Sequence, residues 1–389
     1  MSAQDSPGNI SGRRHYEESK TTPEAPSLFA YVGCRTTKER GAHGDGINVY
    51  RVDRISGNWK HVQLVKDLAN PSFLAVDGRH DFLYSVHGDF SEVSAFRIDK
   101  PTGTLSFLNR QSTSGKNPVH LAVDRTNQFL IVGNYETGNI AVLPIAKDGS
   151  LEPLCDLVAV PSAADPNKIY SSRQGSSHPH QVPFDQSGNY IVVPDLGLDK
   201  VFVFKLDASS DKLVVNDPPF VSSRDGAGPR HIAFHPIMPH GYVVNELDST
   251  VTTYRFDANR GELNPIQVIA CLPDNFTGSK DFARGFGAAE IVVAPSGRFL
   301  YVSNRGNSSI AVFAIDESVG ALSPVAWEPS NGEGPRFIGL DPSGTFLYAA
   351  NERSDTIIPF RVDQITGTLK PTGDIVNTGS PVCIIFSCG

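Results

Sequence analysis

Tryptophan and methionine are nearly absent from this 389-residue chain, with two of each, and cysteine occurs five times. The cysteines (Cys34, Cys155, Cys271, Cys383 and Cys388) show no CxxC spacing, which removes the common zinc and dithiol motifs. Their odd number fits reduced thiols in an intracellular protein better than a disulfide framework. Also lacking is any basic run. With a net charge of −8 and a pI near 5.8, the chain is a poor partner for nucleic acid or acidic lipid. Neither a signal-peptide core nor a membrane-length apolar block is found, so the cytosol is the expected compartment and no membrane contact is expected. No window carries a helical apolar stripe.

What is plentiful is turn chemistry. Thirty-five glycines and 28 prolines, many in P-x-G, N-P and T-G steps, punctuate short runs rich in Val, Ile, Phe and Tyr. One pattern then recurs seven times, at intervals of roughly 50 residues. A run introduced by a Pro or His turn (A) is followed by an aromatic-rich run ending in Asn or Asp (B). An alternating V-x-V-F-x-x-D run (C) and a weaker fourth run (D) complete the unit. Run B is the easiest to align: SLFAYVG, DFLYSVH, QFLIVGN, NYIVVPD, GYVVNE, RFLYVSN and TFLYAAN.

The phase of this repeat sets the architecture. The chain opens on a B run without its A run, and closes on an A run at 381–386 without its B run. A ring of four-stranded antiparallel blades resolves both ends, because the C-terminal strand can enter the first blade and remove two exposed sheet edges. The expectation is an all-β, seven-bladed β-propeller over residues 27–389, closed by that strand. Residues 1–26, rich in Ser, Pro, Gly and charge, read as a disordered tail.

In such a blade A and B form a hairpin, so the start of A and the end of B reach one face of the disc and converge on the channel mouth. That rule gathers His178 and His180 (SSHPHQV), Arg230 and His231 (GAGPRHIAFHP), Glu246 and Asp248 (NELDST), Glu290, Arg305 (SNRGNSS) and Arg336 (GEGPRF). Guanidinium forks suit carboxylate or phosphate oxygens, which points to an anionic small molecule. Histidine and glutamate beside them can exchange protons near neutral pH. Alternation along run A sends one histidine of each pair to the channel, and favours His180 over His178. The B-run asparagines Asn134, Asn245, Asn304 and Asn351 read as turn residues bonding their own backbone.

GAGPRHIAFHP, NELDSTVTTY, GAAEIVVAPSGRFLYVSNR and GPRFIGLDPSGTFLYAAN resemble the lactonase family of seven-bladed propellers, which includes 6-phosphogluconolactonases and fungal 3-carboxy-cis,cis-muconate cyclases. The resemblance runs from about Leu28 to Phe386. It implies a catalytic set of His180, Arg230, Glu246 and Arg305; Arg336, His178, His231 and Glu290, gathered by the strand-end rule, are expected to bind substrate. Gly228 to His231 and Asn245 to Leu247 match the phosphogluconolactonase wording. The expected function is therefore hydrolysis of an anionic sugar-acid lactone without metal or other cofactor, His180 or Glu246 moving the proton. Lactonising cyclisation of a muconate is the alternative. A calcium-dependent lactonase, using Glu290, Asn245 and Asn304 as ligands, would set a dication beside three arginines. A non-catalytic scaffold of the WD-repeat kind lacks its Trp-Asp strand ends here, since Trp59 and Trp327 are the only tryptophans.

Overall fold

The computed structural model describes residues 1–2, 27–161, 171–276 and 287–389. The tail expected over 1–26 lies, from residue 3 onward, outside the described residues. Seven antiparallel sheets follow one another along the chain, and they are the seven blades. Helix, among the described residues, is confined to Lys38–Arg40 and Ser171–Gln174, and none is long and apolar enough to cross a membrane.

Blade five shows the unit: A at Pro229–Phe234, B at His240–Asn245, C at Thr250–Asp257 and D at Glu262–Ala270, each hydrogen-bonded to the next. B and C are almost wholly buried because both of their faces pack against neighbouring blades, which is why these runs read as near-continuous Val, Ile, Phe and Tyr. The aspartate ending run A has a local task. In blade two, Asp77 Oδ1 accepts from the backbone N–H of both Asp81 and Phe82, and so fixes the A–B turn.

The ring closes as the phase of the repeat requires. Strand Pro381–Cys388 pairs antiparallel with Leu28–Cys34, from Leu28 opposite Cys388 to Gly33 opposite Cys383, as the inner strand of blade one. Tyrosines fasten six of the seven blades to the next, Tyr190 donating to Asn259 O and the other five to a glycine carbonyl. The hydroxyl of Tyr31 donates to Gly103 O, Tyr84 to Gly149 O, Tyr242 to Gly320 O, Tyr301 to Gly367 O and Tyr348 to Gly57 O, the last across the closure. At Gly103 the receiving residue is held to glycine by its φ of +74° and by the Phe29 ring, which a Cβ there would meet at 2.3 Å.

Two local expectations need correction. The blade-four A run, 179–185, does not form a continuous strand; it joins Ile191–Asp195 only through bridges at Pro179–Asp195 and Phe184–Ile191. Pro179 and Pro183 have no N–H to give the ladder. The B-run asparagines bond outward rather than to their own turn. Asn245 Nδ2 donates to Thr250 and Thr252 on strand C, and Asn304 Nδ2 to Cys271 O of the preceding blade.

Five of the A strands are also bulged at their start, whereas Leu74–Val76 of blade two pairs in regular register. Pro229 pairs with Asn245 but His231 with Val244, so Arg230 is an extra residue in the ladder. Equivalent shifts free Val119, Arg336 and Val382, and in blade six Ala289 and Glu290 together oppose Ser303. A bulge turns the side chain of the extra residue out of the pleat. Repeated in five blades, it aims those positions at the axis.

Candidate active site

The strand ends build a cavity in two tiers. The upper, of about 630 Å³, is ringed by residues that directly follow a B strand: Arg35, Tyr135, Glu246, Arg305 and Glu352. The lower, of about 10 Å³, is ringed by the bulged starts of the A strands, among them Val119, Arg230, Glu290, Arg336 and Val382. Ten cubic ångströms is about the space one water needs. Arg35, Val119, His180 and Arg336 line both tiers and connect them. Six guanidiniums face the upper cavity (Arg35, Arg40, Arg173, Arg305, Arg336 and Arg353) against the carboxylates of Glu246 and Glu352.

Blades four to six supply a hydrogen-bonded chain. Glu290 Oε1 lies 2.8 Å from His231 Nδ1, and His231 Nε2 lies 3.2 Å from His180 Nδ1. His180 thus has one ring nitrogen committed to the chain, and Nε2 remains for a molecule in the cavity. Burial, reinforced by the positive charge of Arg230, holds both imidazoles well below their usual range, so both are neutral at pH 7. The His231–Glu290 contact is therefore a hydrogen bond and not an ion pair. Burial pushes the Glu290 carboxyl up to about 7. A carboxyl poised near neutrality at the end of two neutral imidazoles can take or return one proton.

Glu246 is built for a different task. It is 3% exposed and accepts from Arg230 Nε at 3.0 Å and Arg173 Nη2 at 2.8 Å, while Arg305 Nη2 lies 3.2 Å away. Burial alone would raise its carboxyl, but Arg305, Arg173 and Arg230 overcome burial and hold it well below the usual range. Such a carboxylate is a weak base. What it does is fix three guanidiniums in one geometry; Arg230 donates onward to Ala289 O and Arg305 to Gly287 O.

The structure brings His180, Glu246, Arg305 and Arg336 to the upper cavity, and Arg230, His231 and Glu290 to the lower one. It does not bring His178 there. That ring stacks on Tyr135 at 4.5 Å with Nδ1 2.8 Å from Tyr135 O, and so supports Tyr135 rather than a ligand. Asp248 turns away to pair with Arg224. Asn245 and Asn304 line neither tier, and among the described residues no three His, Cys, Asp or Glu side chains gather closely enough to hold a metal ion.

Arg35, Tyr135, Arg173 and Glu352 are among the groups missing from the sequence-based set. Arg35, Tyr135 and Glu352 occupy the same repeat position as Glu246 and Arg305, one residue beyond strand B, so the register itself contained the signal. Arg173 had none. It stands on the short helical turn Ser171–Gln174 before blade four, and its guanidinium reaches both Glu246 and the Tyr135 hydroxyl.

Comparison with known proteins places this geometry. A family model described as "Lactonase, 7-bladed beta-propeller" matches residues 29–386. The 6-phosphogluconolactonase of Bacillus subtilis (strain 168) is 36% identical over 311 residues, covering 79% of this chain and 84% of the relative. That of Formosa agariphila is 32% identical over 316 residues, with 79% and 84% covered. Among solved structures, the periplasmic gluconolactonase PpgL of Pseudomonas aeruginosa superposes with a TM-score of 0.83 at 31% identity, over 92% of this chain and 99% of that one.

Proposed function

This chain belongs to the lactonase family of seven-bladed β-propellers, and from that premise we propose that it hydrolyses a sugar-acid lactone at the channel mouth. The observation that carries this reading is the chain Glu290–His231–His180 ending in a guanidinium-lined cavity. Ester hydrolysis needs a base for water, a positive group for the developing oxyanion and an acid for the leaving alkoxide. With Glu290 ionised, His231 donates from Nδ1 to it and His180 donates from Nδ1 to His231 Nε2. The lone pair on His180 Nε2 is then free to take a proton from water.

The water oxygen attacks the lactone carbonyl carbon as its proton passes to His180 Nε2. A proton leaves His180 Nδ1 for His231, and one leaves His231 Nδ1 for Glu290. The carbonyl oxygen, now an anion, lies against Arg305 and Arg173, which Glu246 holds in place. When the ring C–O bond breaks, the same protons return in reverse and His180 Nε2–H protonates the departing alkoxide. The products are the hydroxy acid and the unchanged enzyme. Neutral imidazoles suit this path better than Glu246, which its three arginines keep ionised and weakly basic.

The wider reading of the chain as a single propeller domain from residue 27 onward belongs to the same proposal, as does a cytosolic location consistent with five free thiols. Turnover settles the reaction. Purified protein should speed hydrolysis of δ-gluconolactone or 6-phosphogluconolactone well above the spontaneous rate, each product gaining the mass of one water. Conversion of 3-carboxymuconate without mass change, and of neither lactone, would replace hydrolysis by cyclisation.

A further inference from the structure

Cations meet in the lower tier around a space sized for a single particle. Three guanidiniums line it, those of Arg35, Arg230 and Arg336, and among the described residues Glu290 is the one acid that does. Arg230 is tied to Glu246 and to Ala289 O. The other two are not so satisfied. Arg35 has a side chain 5% exposed, with Nε 3.1 Å from Glu352 and a buried Nη1 that makes no hydrogen bond. Arg336 makes no hydrogen bond among the described residues and comes no nearer to Glu352 than 3.9 Å. Unused donors on buried like charges are costly unless something negative completes them. Size decides what can. A volume of about 10 Å³ admits one particle close to water in size, which excludes phosphate, sulfate and the carboxylate of a sugar acid. A halide is a single atom that brings the charge and accepts from several N–H groups at once, with no geometry of its own to satisfy.

We propose that the lower tier is a halide site, filled by chloride in solution, with Arg35 and Arg336 as its principal donors, and that the bound anion tunes the chain Glu290–His231–His180 beside it. The site stands on the cavity and its donors; its effect on turnover rests on the lactonase reading. The groups facing the anion are Arg35, Arg230 and Arg336, whose charges it offsets, and His180, His231 and Glu290, whose protonated forms it favours. Behind them Glu246 and Glu352 pair with Arg230 and Arg35. Arg230 and Arg336 pull the Glu290 carboxyl down against the effect of burial. An anion among them weakens that pull, and Glu290 keeps its proton to higher pH. Because His180 takes a proton from water only when Glu290 is ionised, chloride moves the rising limb of kcat to higher pH and slows the reaction near neutrality. The plateau above the limb is unchanged. Since the anion sits beneath the substrate cavity, the effect falls on kcat rather than on KM.

Bromide is the probe that reports position. In crystals of the native protein soaked in sodium bromide, anomalous scattering should place one bromide in the lower tier, within hydrogen-bonding reach of Arg35 and Arg336. Water in the tier, with bromide confined to the outer surface, would overturn the site. In solution, the native protein should broaden the chlorine-35 resonance of sodium chloride, and Arg336→Met should lose most of that broadening. Arg336→Lys, which keeps the charge, should retain more of it, and thermal melting of both variants guards against a folding defect; equal broadening by native protein and Arg336→Met would also overturn the site. For turnover, kcat on δ-gluconolactone is followed against pH in sodium chloride and in sodium isethionate at equal ionic strength, the sulfonate being too large for the tier. Chloride should move the rising limb up by about half a pH unit or more, which lowers kcat at pH 7 about twofold. Coincident profiles would overturn the coupling to the proton chain and leave the lactonase reading standing. Should the native protein turn over neither δ-gluconolactone nor 6-phosphogluconolactone, that reading falls, and the position of bromide still decides the site.

Discussion

The two arcs of the channel mouth are built from equivalent strand ends, yet they hold their charges differently. In blades four to six every guanidinium is tied: Arg173, Arg230 and Arg305 converge on Glu246, and two of them also donate to backbone carbonyls. In blades seven and one Arg35 and Arg336 are paired more loosely, with one contact of 3.1 Å and others of 3.6 and 3.9 Å to acids about a quarter exposed, while Arg40 at the rim is held firmly by Asp89. A rigid, pre-paired arc can stabilise charge that appears during a reaction without reorganising. A loose arc with spare donors suits a charge that the ligand brings with it.

The largest separation of the arcs should come from His180→Ala, which lowers kcat by about 10²-fold to 10⁴-fold on either lactone. Because the residue acts on the carbonyl that both share, the two lactones should lose equally; a loss confined to one of them would break the assignment of the base to this arc. Next in size is stability. Glu246→Gln strips the shared partner from three buried arginines and should cost about 3 to 5 kcal/mol in urea unfolding at pH 7, whereas Glu352→Gln, on a partly exposed carboxylate, should cost about 1 kcal/mol or less. The sign with pH is fixed by the lowered Glu246 carboxyl. Its stabilisation is present above the unfolded value of 4.5 and fades as pH falls below that, so the gap between native protein and Glu246→Gln should close in acid.

A smaller effect runs the opposite way. Burial raises Glu290 from 4.5 to about 7, so its protonated form favours the folded state. That contribution is full below about pH 4.5 and is lost as pH rises through about 7, so the native protein should lose stability relative to Glu290→Gln across this window. Unfolding midpoints of the two proteins at pH 5 and pH 8 measure it. No change in their difference would mean that Glu290 does not titrate there.

The blade count and the closure by the last strand were legible because each repeat carries the same A, B and C runs and the ends are out of phase. The strand-end rule likewise brought Arg230, Glu246, Arg305 and Glu290 to the axis, since bulge and register recur from blade to blade. Arg35, Tyr135 and Glu352 obey the same rule and were legible in principle; their B runs end in a cysteine or in asparagines that resemble plain turns. Roles were harder to read than places. Nothing in NELDST says that three guanidiniums will meet on Glu246, because one of them, Arg173, comes from a segment outside the repeat. His178 and His180 are two residues apart, a spacing that would set both on one face of a regular strand; His178 is separated because its ring stacks on Tyr135 and bonds Tyr135 O, while His180 meets Tyr135 only edge-on and faces the cavity.

The proton chain is tested most directly by the pH dependence of kcat, corrected for spontaneous hydrolysis, in the native protein and in Glu290→Gln. Since His180 acts as a base only when Glu290 can accept a proton through His231, native kcat should rise with pH through about 7 and then level. Glu290→Gln should lower the plateau by about tenfold or more and remove that rise. An unchanged plateau with the same rise near 7 would contradict the chain and return the base role to a group outside it.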